Sequence, residues 1–302
     1  MKILFTFPGQ GAQQVGMLQQ LPADTTVLDD AAAVLGDEIR QLDSPQALRH
    51  TRAVQLCLLI TGVAWARALM ARGVMPDMVS GLSIGAFPAA VVAGVLRFDD
   101  ALRLVALRGE LMEQAYPQGY GLTAIMGLSQ PEVEALLVGS GAYLANLNAE
   151  RQIVIAGSDE SMAQVAERAL QRGASRAQRL RVSVPSHCAL LEAPAGQLAA
   201  AMASLPLSPA KCGYLSGSSA RAIWQPERIA DDLALNMART VRWHEAMVAA
   251  EERDVRLAIE MPPGGVLTCL AKQAFSRAEA FSLARSGIDV VAHRAAQLRA
   301  QG

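Results

Sequence analysis

Met78-Val79-Ser80-Gly81-Leu82-Ser83-Ile84-Gly85 is the stretch on which the reading of this chain turns. Residues that read as a strand run into a serine set between two glycines, and a helix-like apolar run begins at Ala86. This is the pattern of a nucleophile elbow, a sharp strand-to-helix turn. The chemistry requires small residues on both sides of the serine, because a larger Cβ there would meet the crossing backbone. The turn pushes Oγ outward, and the N–H groups and dipole of the helix start favour an oxyanion beside it. Ser83 is therefore the candidate nucleophile. Taken alone, the pentapeptide is equally at home in an ordinary glycine-containing turn, so its context has to decide.

With 302 residues, 52% of them hydrophobic and 18% charged, the chain can bury one large core and carry an inserted smaller unit. A net charge of −1 and an aromatic content of 4% provide neither a polyanion-binding surface nor stacking platforms, so nucleic acid is not an expected partner. Cys57, Cys188, Cys212 and Cys269 lie far apart with no CxxC pair. That spacing indicates neither a metal site nor a disulfide framework, and a reducing cytoplasmic setting is expected. The apolar N-terminal run is too short for a signal-peptide core and reads as a buried first strand. Apolar stretches such as 54–66 and 86–96 are interrupted before the ~20 residues of a bilayer span, so no membrane segment is expected.

Strands alternating with helices predict an α/β fold with a mainly parallel sheet. A loop, Pro8-Gly9-Gln10-Gly11-Ala12-Gln13, follows the first strand, and a helical stretch covers about 45–71. The elbow strand spans 78–82, and Asp99-Asp100 read as the cap of a helix carrying Arg108. From 118 to 183 the rhythm becomes strand (123–128), helix (130–138), strand (142–147), strand (152–156), helix (159–172), strand (177–183). This βαββαβ order matches a ferredoxin-like module. It predicts a large α/β-hydrolase-like domain, 1–117 and 184–302, with an inserted ferredoxin-like small subdomain, 118–183. The alternative is that these strands extend the main sheet.

An activated serine needs a base, and the chain has four histidines. His50 sits among charges before a helix, His244 lies on an amphipathic helix, and His293 is near the C-terminal end. Each reads most simply as a surface or structural residue. His187, in Val184-Pro185-Ser186-His187-Cys188, occupies a loop able to overhang a cleft and is the candidate base.

Together these features resemble the malonyl-CoA:acyl-carrier-protein transacylases, the acyltransferases of fatty-acid and polyketide synthesis. The resemblance rests on separated motifs in order: Phe7-Pro8-Gly9-Gln10-Gly11-Ala12-Gln13, the elbow, Leu107-Arg108-Gly109, Ile153-Val154-Ile155-Ala156-Gly157, Val182-Ser183-Val184-Pro185-Ser186-His187-Cys188 and Glu260-Met261-Pro262-Pro263-Gly264. It implies that Ser83 accepts a malonyl group from malonyl-CoA, that His187 is the base, and that the N–H groups of Gln10 and Ile84 form the oxyanion hole. It further implies that Arg108 binds the malonyl carboxylate, a role suited to a planar guanidinium fork. The main-chain carbonyl of Asn236, ahead of Val241-Arg242-Trp243, would orient His187. Gln55 falls where the family has an active-site glutamine, and Asn146 and Asn148 are weaker pocket candidates flanking a strand that faces the cleft. No bound cofactor or metal is implied; the acceptor is the thiol prosthetic group of an acyl-carrier protein.

Two positions depart from the family pattern. Leu82 stands where most members place histidine, and Pro262-Pro263-Gly264 replaces Gly-Pro-Gly. With the opening Lys2-Ile3-Leu4-Phe5-Thr6-Phe7, Leu82 looks more like the branch that loads malonyl onto the carrier subunit of malonate decarboxylase. Its acceptor bears a phosphoribosyl-dephospho-CoA group. The fatty-acid-synthesis transacylase and a serine thioesterase or hydrolase stay open as alternatives. An acidic carrier would meet a basic dock, and Arg168, Arg172, Arg176, Arg179 and Arg181 lie in a segment, 168–191, that contains no acid.

Overall fold

The apolar opening forms β1 (Lys2–Phe7), whose Ile3, Leu4, Phe5 and Phe7 are wholly buried. Side chains pointing to both faces are covered, as in the centre of a parallel sheet flanked by helices. The computed structural model describes residues 1–301 and continues with α1 (Val27–Leu35), α2 (Thr51–Ala71), β2 (Met78–Gly81), α3 (Ala86–Val92) and α4 (Phe98–Ala115). Next come β3 (Tyr120–Met126), α5 (Gln130–Leu137), β4 (Tyr143–Ala149), β5 (Gln152–Ser158), α6 (Asp159–Gln171) and β6 (Arg176–Arg179). After these lie α7 (Glu192–Met202), β7 (Gly213–Leu215), β8 (Ala222–Ile223), α8 (Pro226–Leu235), α9 (Trp243–Glu252) and β9 (Val255–Glu260). Finally come α10 (Val266–Ala274), β10 (Glu279–Ser282), α11 (Leu283–Ser286) and α12 (Ile288–Gln301).

The main sheet has the order β10-β9-β1-β2-β7-β8, parallel throughout except at the β7–β8 edge. The second sheet, β4-β5-β3-β6, is antiparallel with α5 and α6 between its strands in sequence. Renumbered within the unit its order is 2-3-1-4, the ferredoxin-like arrangement, so these strands do not extend the main sheet. The two units are stitched together where β4 meets the approach to α9: Leu147 N–H donates to Val241 O at 2.7 Å and Val241 N–H to Ala145 O at 2.8 Å.

Several local expectations need correction. The helical stretch over 45–71 is broken by His50, which is extended, so α2 begins at Thr51 after a short 3-10 turn, Ala47–Arg49. Asp99 and Asp100 lie inside the first turn of α4, where they favour the helix dipole, and make no side-chain cap. The strand expected over 177–183 ends at Arg179. No membrane segment is expected from the sequence, and α2 is long and apolar enough to cross a bilayer by length and composition alone. Yet 78% of its most apolar window is buried inside the fold, as a central core helix requires.

The elbow is set by contact between backbones. A Cβ on Gly81 would lie 1.9 Å from the carbonyl carbon of Gly85, and one on Gly85 would lie 2.1 Å from Phe7 O. Between them Ser83 takes φ +57°, a left-handed conformation that costs a residue with a Cβ of order 1–3 kcal/mol. Gly81→Ala is expected to destabilise the fold by more than about 4 kcal/mol, the range of severe overpacking, because the atom it would strike is backbone. Urea unfolding of the variant measures this; a loss under about 1 kcal/mol would show that the elbow tolerates a side chain.

Candidate active site

The crevice lies at the carboxyl ends of the parallel strands, where β1 releases the Pro8–Gln13 loop, β2 the elbow and β7 the Ser216 turn. Ser83 starts the 3-10 turn Ser83–Gly85 that leads into α3. Ile84 is the second residue of that turn, so its N–H has no acceptor within the turn. The loop bearing Gln10 is pressed against the elbow, since a Cβ on Gly9 would lie 2.8 Å from Leu82 O. Leu82 itself is half-buried against an apolar cluster that includes Leu4, Met78 and Leu215.

The structure brings His187 to Ser83 from 104 residues away, with Nε2 at 2.9 Å from Oγ. Nδ1 lies 2.8 Å from the main-chain carbonyl of Asn236, which makes it the N–H donor and leaves Nε2 to accept. A further bond, His187 N–H to Met237 O at 2.6 Å, holds the loop, and His187 has φ +68°. Asn236 closes α8, which is fastened to the sheet by buried Asp232: Tyr214 Oη and Ser216 Oγ each donate to its carboxylate at 2.8 Å. Burial pushes the His187 imidazole down to about 4, and the Arg108 charge pushes in the same direction, opposed by the bond to Asn236.

Arg108 is wholly buried on α4, its guanidinium carbon 5.9 Å from the ring centre of Phe87. The glycine after it has a packing reason, because a Cβ on Gly109 would lie 2.4 Å from Arg52 Cα on α2. Nη2 donates to Ser83 Oγ at 3.2 Å and to Asn236 Oδ1 at 3.0 Å, while Nε and Nη1 have no partner. Burial lowers its pKa to about 9, which leaves it charged at neutral pH. Gln55 is buried on α2, where Nε2 contacts Met112 Sδ at 3.3 Å, one turn beyond Arg108, and Oε1 has no partner.

Asn146 and Asn148 lie within β4 rather than flanking it, and neither hydrogen-bonds to Ser83, His187, Arg108 or Asn236. His50 pairs with Glu113 at 2.7 Å, away from the crevice. Sequence reading missed the Asn236 side chain, whose Nδ2 also donates to Ser83 O at 3.3 Å. Its only sequence signal was the spacing to Trp243. Among the described residues no group of His, Cys, Asp and Glu is arranged to hold a metal ion.

The profile of the acyl transferase domain matches residues 4–288. The chain belongs to that family. It is 34% identical over 282 residues to the malonyl CoA-acyl carrier protein transacylase of Salmonella typhimurium, covering 89% of this chain and 91% of that one. The Haemophilus influenzae protein of the same name is 33% identical over 296 residues, 93% and 95% of the two chains. Among solved structures, the malonyl CoA-acyl carrier protein transacylase of Coxiella burnetii superposes with a TM-score of 0.92 at 30% identity, over 99% of this chain and 98% of that one. A malonyl-transacylase solved in complex with its type II polyketide acyl-carrier protein gives 0.90 at 31%, over 97% and 99%. This acyltransferase thus shares fold and length with whole members of its family.

The depressed His187 pKa carries a sign for stability. Between about 4 and 6.5 the unfolded chain binds a proton that the folded chain refuses, so stability is full above 6.5 and falls by roughly 3 kcal/mol as pH drops to about 4. His187→Gln is expected to flatten that part of the stability–pH curve, and the His187 NMR resonances should not titrate between pH 5.5 and 8. A midpoint near 6.5 would contradict the buried, unprotonated imidazole.

Proposed function

We propose that this acyltransferase moves a malonyl group from malonyl-CoA to the thiol of an acyl-carrier protein through a malonyl ester on Ser83. The observation that carries the reading is Arg108: a buried cation, with two of its nitrogens unpartnered, 3.2 Å from the candidate nucleophile. An unpaired buried charge is costly, and a donor with a free carboxylate supplies the missing anion in bidentate geometry.

His187 Nε2 takes the proton of Ser83 Oγ as Oγ attacks the thioester carbonyl. The N–H groups of Gln10 and Ile84 hold the resulting oxyanion, each donor being worth about 10²–10³ in rate. Collapse breaks the C–S bond, and His187 returns the proton to the departing CoA thiolate. The carrier thiol then gives its proton to His187 and its sulfur attacks the malonyl ester; the ester C–O bond breaks and His187 returns the proton to Ser83 Oγ, completing a ping-pong cycle. The Asn236 carbonyl keeps the imidazole in the required tautomer. Gln55 is placed on the Arg108 side of the site through Met112, while Asn146 and Asn148, on β4, stay weaker pocket candidates. On this reading 1–117 and 184–302 form the catalytic domain and 118–183 the small subdomain.

The named relatives favour the carrier of fatty-acid synthesis as acceptor. Leu82 favours the malonate decarboxylase carrier, with its phosphoribosyl-dephospho-CoA arm. Incubation with labelled malonyl-CoA followed by either carrier separates these: a trapped malonyl-Ser83 is expected, and the carrier that discharges it identifies the branch. Rapid loss of label to water would support a hydrolase instead. Arg108→Ala is expected to reduce malonyl kcat/KM by about 10²-fold or more and to erase the preference for malonyl over acetyl donors. Surviving malonyl selectivity would remove Arg108 from its role.

The basic segment narrows to four exposed residues as a carrier dock. All five arginines are exposed, but Arg179 is already spent within the subdomain, donating to Tyr120 O, Leu122 O and Val182 O and pairing with Asp159, which leaves Arg168, Arg172, Arg176 and Arg181. Charge reversal at Arg172 and Arg176 is expected to raise the KM for carrier several-fold, with the KM for malonyl-CoA unchanged. Equal effects on both substrates would exclude this face.

A further inference from the structure

Orienting His187 needs only the main-chain carbonyl of Asn236, which any residue supplies. The side chain nevertheless makes two further contacts, so that Asn236 touches all three functional groups of the site: His187 Nδ1 through its carbonyl, Arg108 Nη2 through Oδ1, and the Ser83 carbonyl through Nδ2. The amide orientation is fixed by chemistry, since a guanidinium can only donate and must therefore face Oδ1.

Arg108 Nη2 carries two hydrogens, and both are spent, one on Ser83 Oγ and one on Asn236 Oδ1. Each edge of a guanidinium that offers two parallel hydrogens includes Nη2, either beside Nε or beside Nη1. Nε and Nη1 are the two nitrogens left without a partner. A carboxylate that pairs bidentately with Arg108 therefore has to take one Nη2 hydrogen from its present acceptor. Ser83 Oγ is at 3.2 Å and also engages His187 Nε2, whereas Asn236 Oδ1 is nearer, at 3.0 Å, and its residue is anchored at the end of α8.

We infer that Asn236 is a positioning residue that holds one Nη2 hydrogen, so that an arriving donor carboxylate exchanges with Ser83 Oγ. Carboxylate recognition and release of the nucleophile from Arg108 then become one event. A donor without a carboxylate leaves Ser83 Oγ accepting from a cation, which withdraws electron density from the attacking atom. This rests on the function proposed above, in which Arg108 receives the donor carboxylate.

The test is single-turnover acylation of Ser83, followed by intact-protein mass spectrometry, with malonyl-CoA and acetyl-CoA as donors. Asn236→Ala is expected to slow malonyl acylation by about ten- to a hundred-fold and acetyl acylation by only a few-fold. In an Arg108→Ala background the same substitution should add little, because its effect on malonyl runs through Arg108. Asn236→Asp, nearly isosteric, keeps the test valid should the alanine variant fold poorly. Its carboxylate would occupy Arg108 permanently, so malonyl preference should collapse, and balancing the Arg108 charge should move the acid limb of the acylation rate upward from about 4. Equal slowing of both donors by Asn236→Ala, or an undiminished effect in the Arg108→Ala background, would overturn the inference. Failure of the unsubstituted enzyme to form malonyl-Ser83 at all would instead remove the proposed function, and the inference with it.

Discussion

Three backbone segments meet at the elbow without side chains between them, and the rest of the site depends on that close approach. Gly81 faces the Gly85 carbonyl, Gly85 faces Phe7 O, and Gly9 faces Leu82 O. The contact forces Ser83 into its left-handed conformation and brings the Gln10 loop to the turn that carries Ile84. It also lets α2 and α3 close over the strands, since Gly62 packs on Phe7 and Pro88. Gly109 then lets α4 descend onto α2, and this sinks Arg108 to the level of the serine. A chain of small residues thus converts a sheet topology into a spacing of functional groups.

Electrostatically the pocket is built one charge short. Arg108 is buried without a neighbouring carboxylate, and burial lowers its pKa and that of His187 together. Such an arrangement costs folding free energy, as do the positive φ angles of Ser83 and His187. On the proposed function, the same absence is what an anionic donor would fill. An acid placed beside Arg108 would stabilise the empty fold and occupy the fork.

How much of this was legible in the sequence differs by element. The elbow, the βαββαβ unit and His187 were readable because local glycines, alternation and loop position report local geometry. Arg108 was readable only by resemblance, since a helical arginine carries no mark of the 0% exposure it has here. Other features depend on long-range packing. The Asn236 side chain meets Arg108 across 128 residues, and Arg179 can lie against β3 and reach Tyr120 O only because Gly121 leaves it room. The break at His50 and the burial of most of α2 likewise depend on what packs around them, which periodicity does not encode. Helix α1, short and alanine-rich, gave no elbow-like punctuation and was not anticipated.

The low pKa of His187 bears on the choice between a thiol acceptor and water. A carboxylate behind Nδ1 would stabilise imidazolium and make a stronger base; the Asn236 carbonyl provides less. A weak base is a strong conjugate acid, well suited to returning a proton to a leaving thiolate. In the second half of the proposed cycle the acceptor must surrender its proton to the same imidazole. A thiol, with a pKa of about 8.5, does so far more readily than water at about 15.7. On the proposed cycle the ester on Ser83 therefore asks less of this imidazole when it meets a thiol than when it meets water.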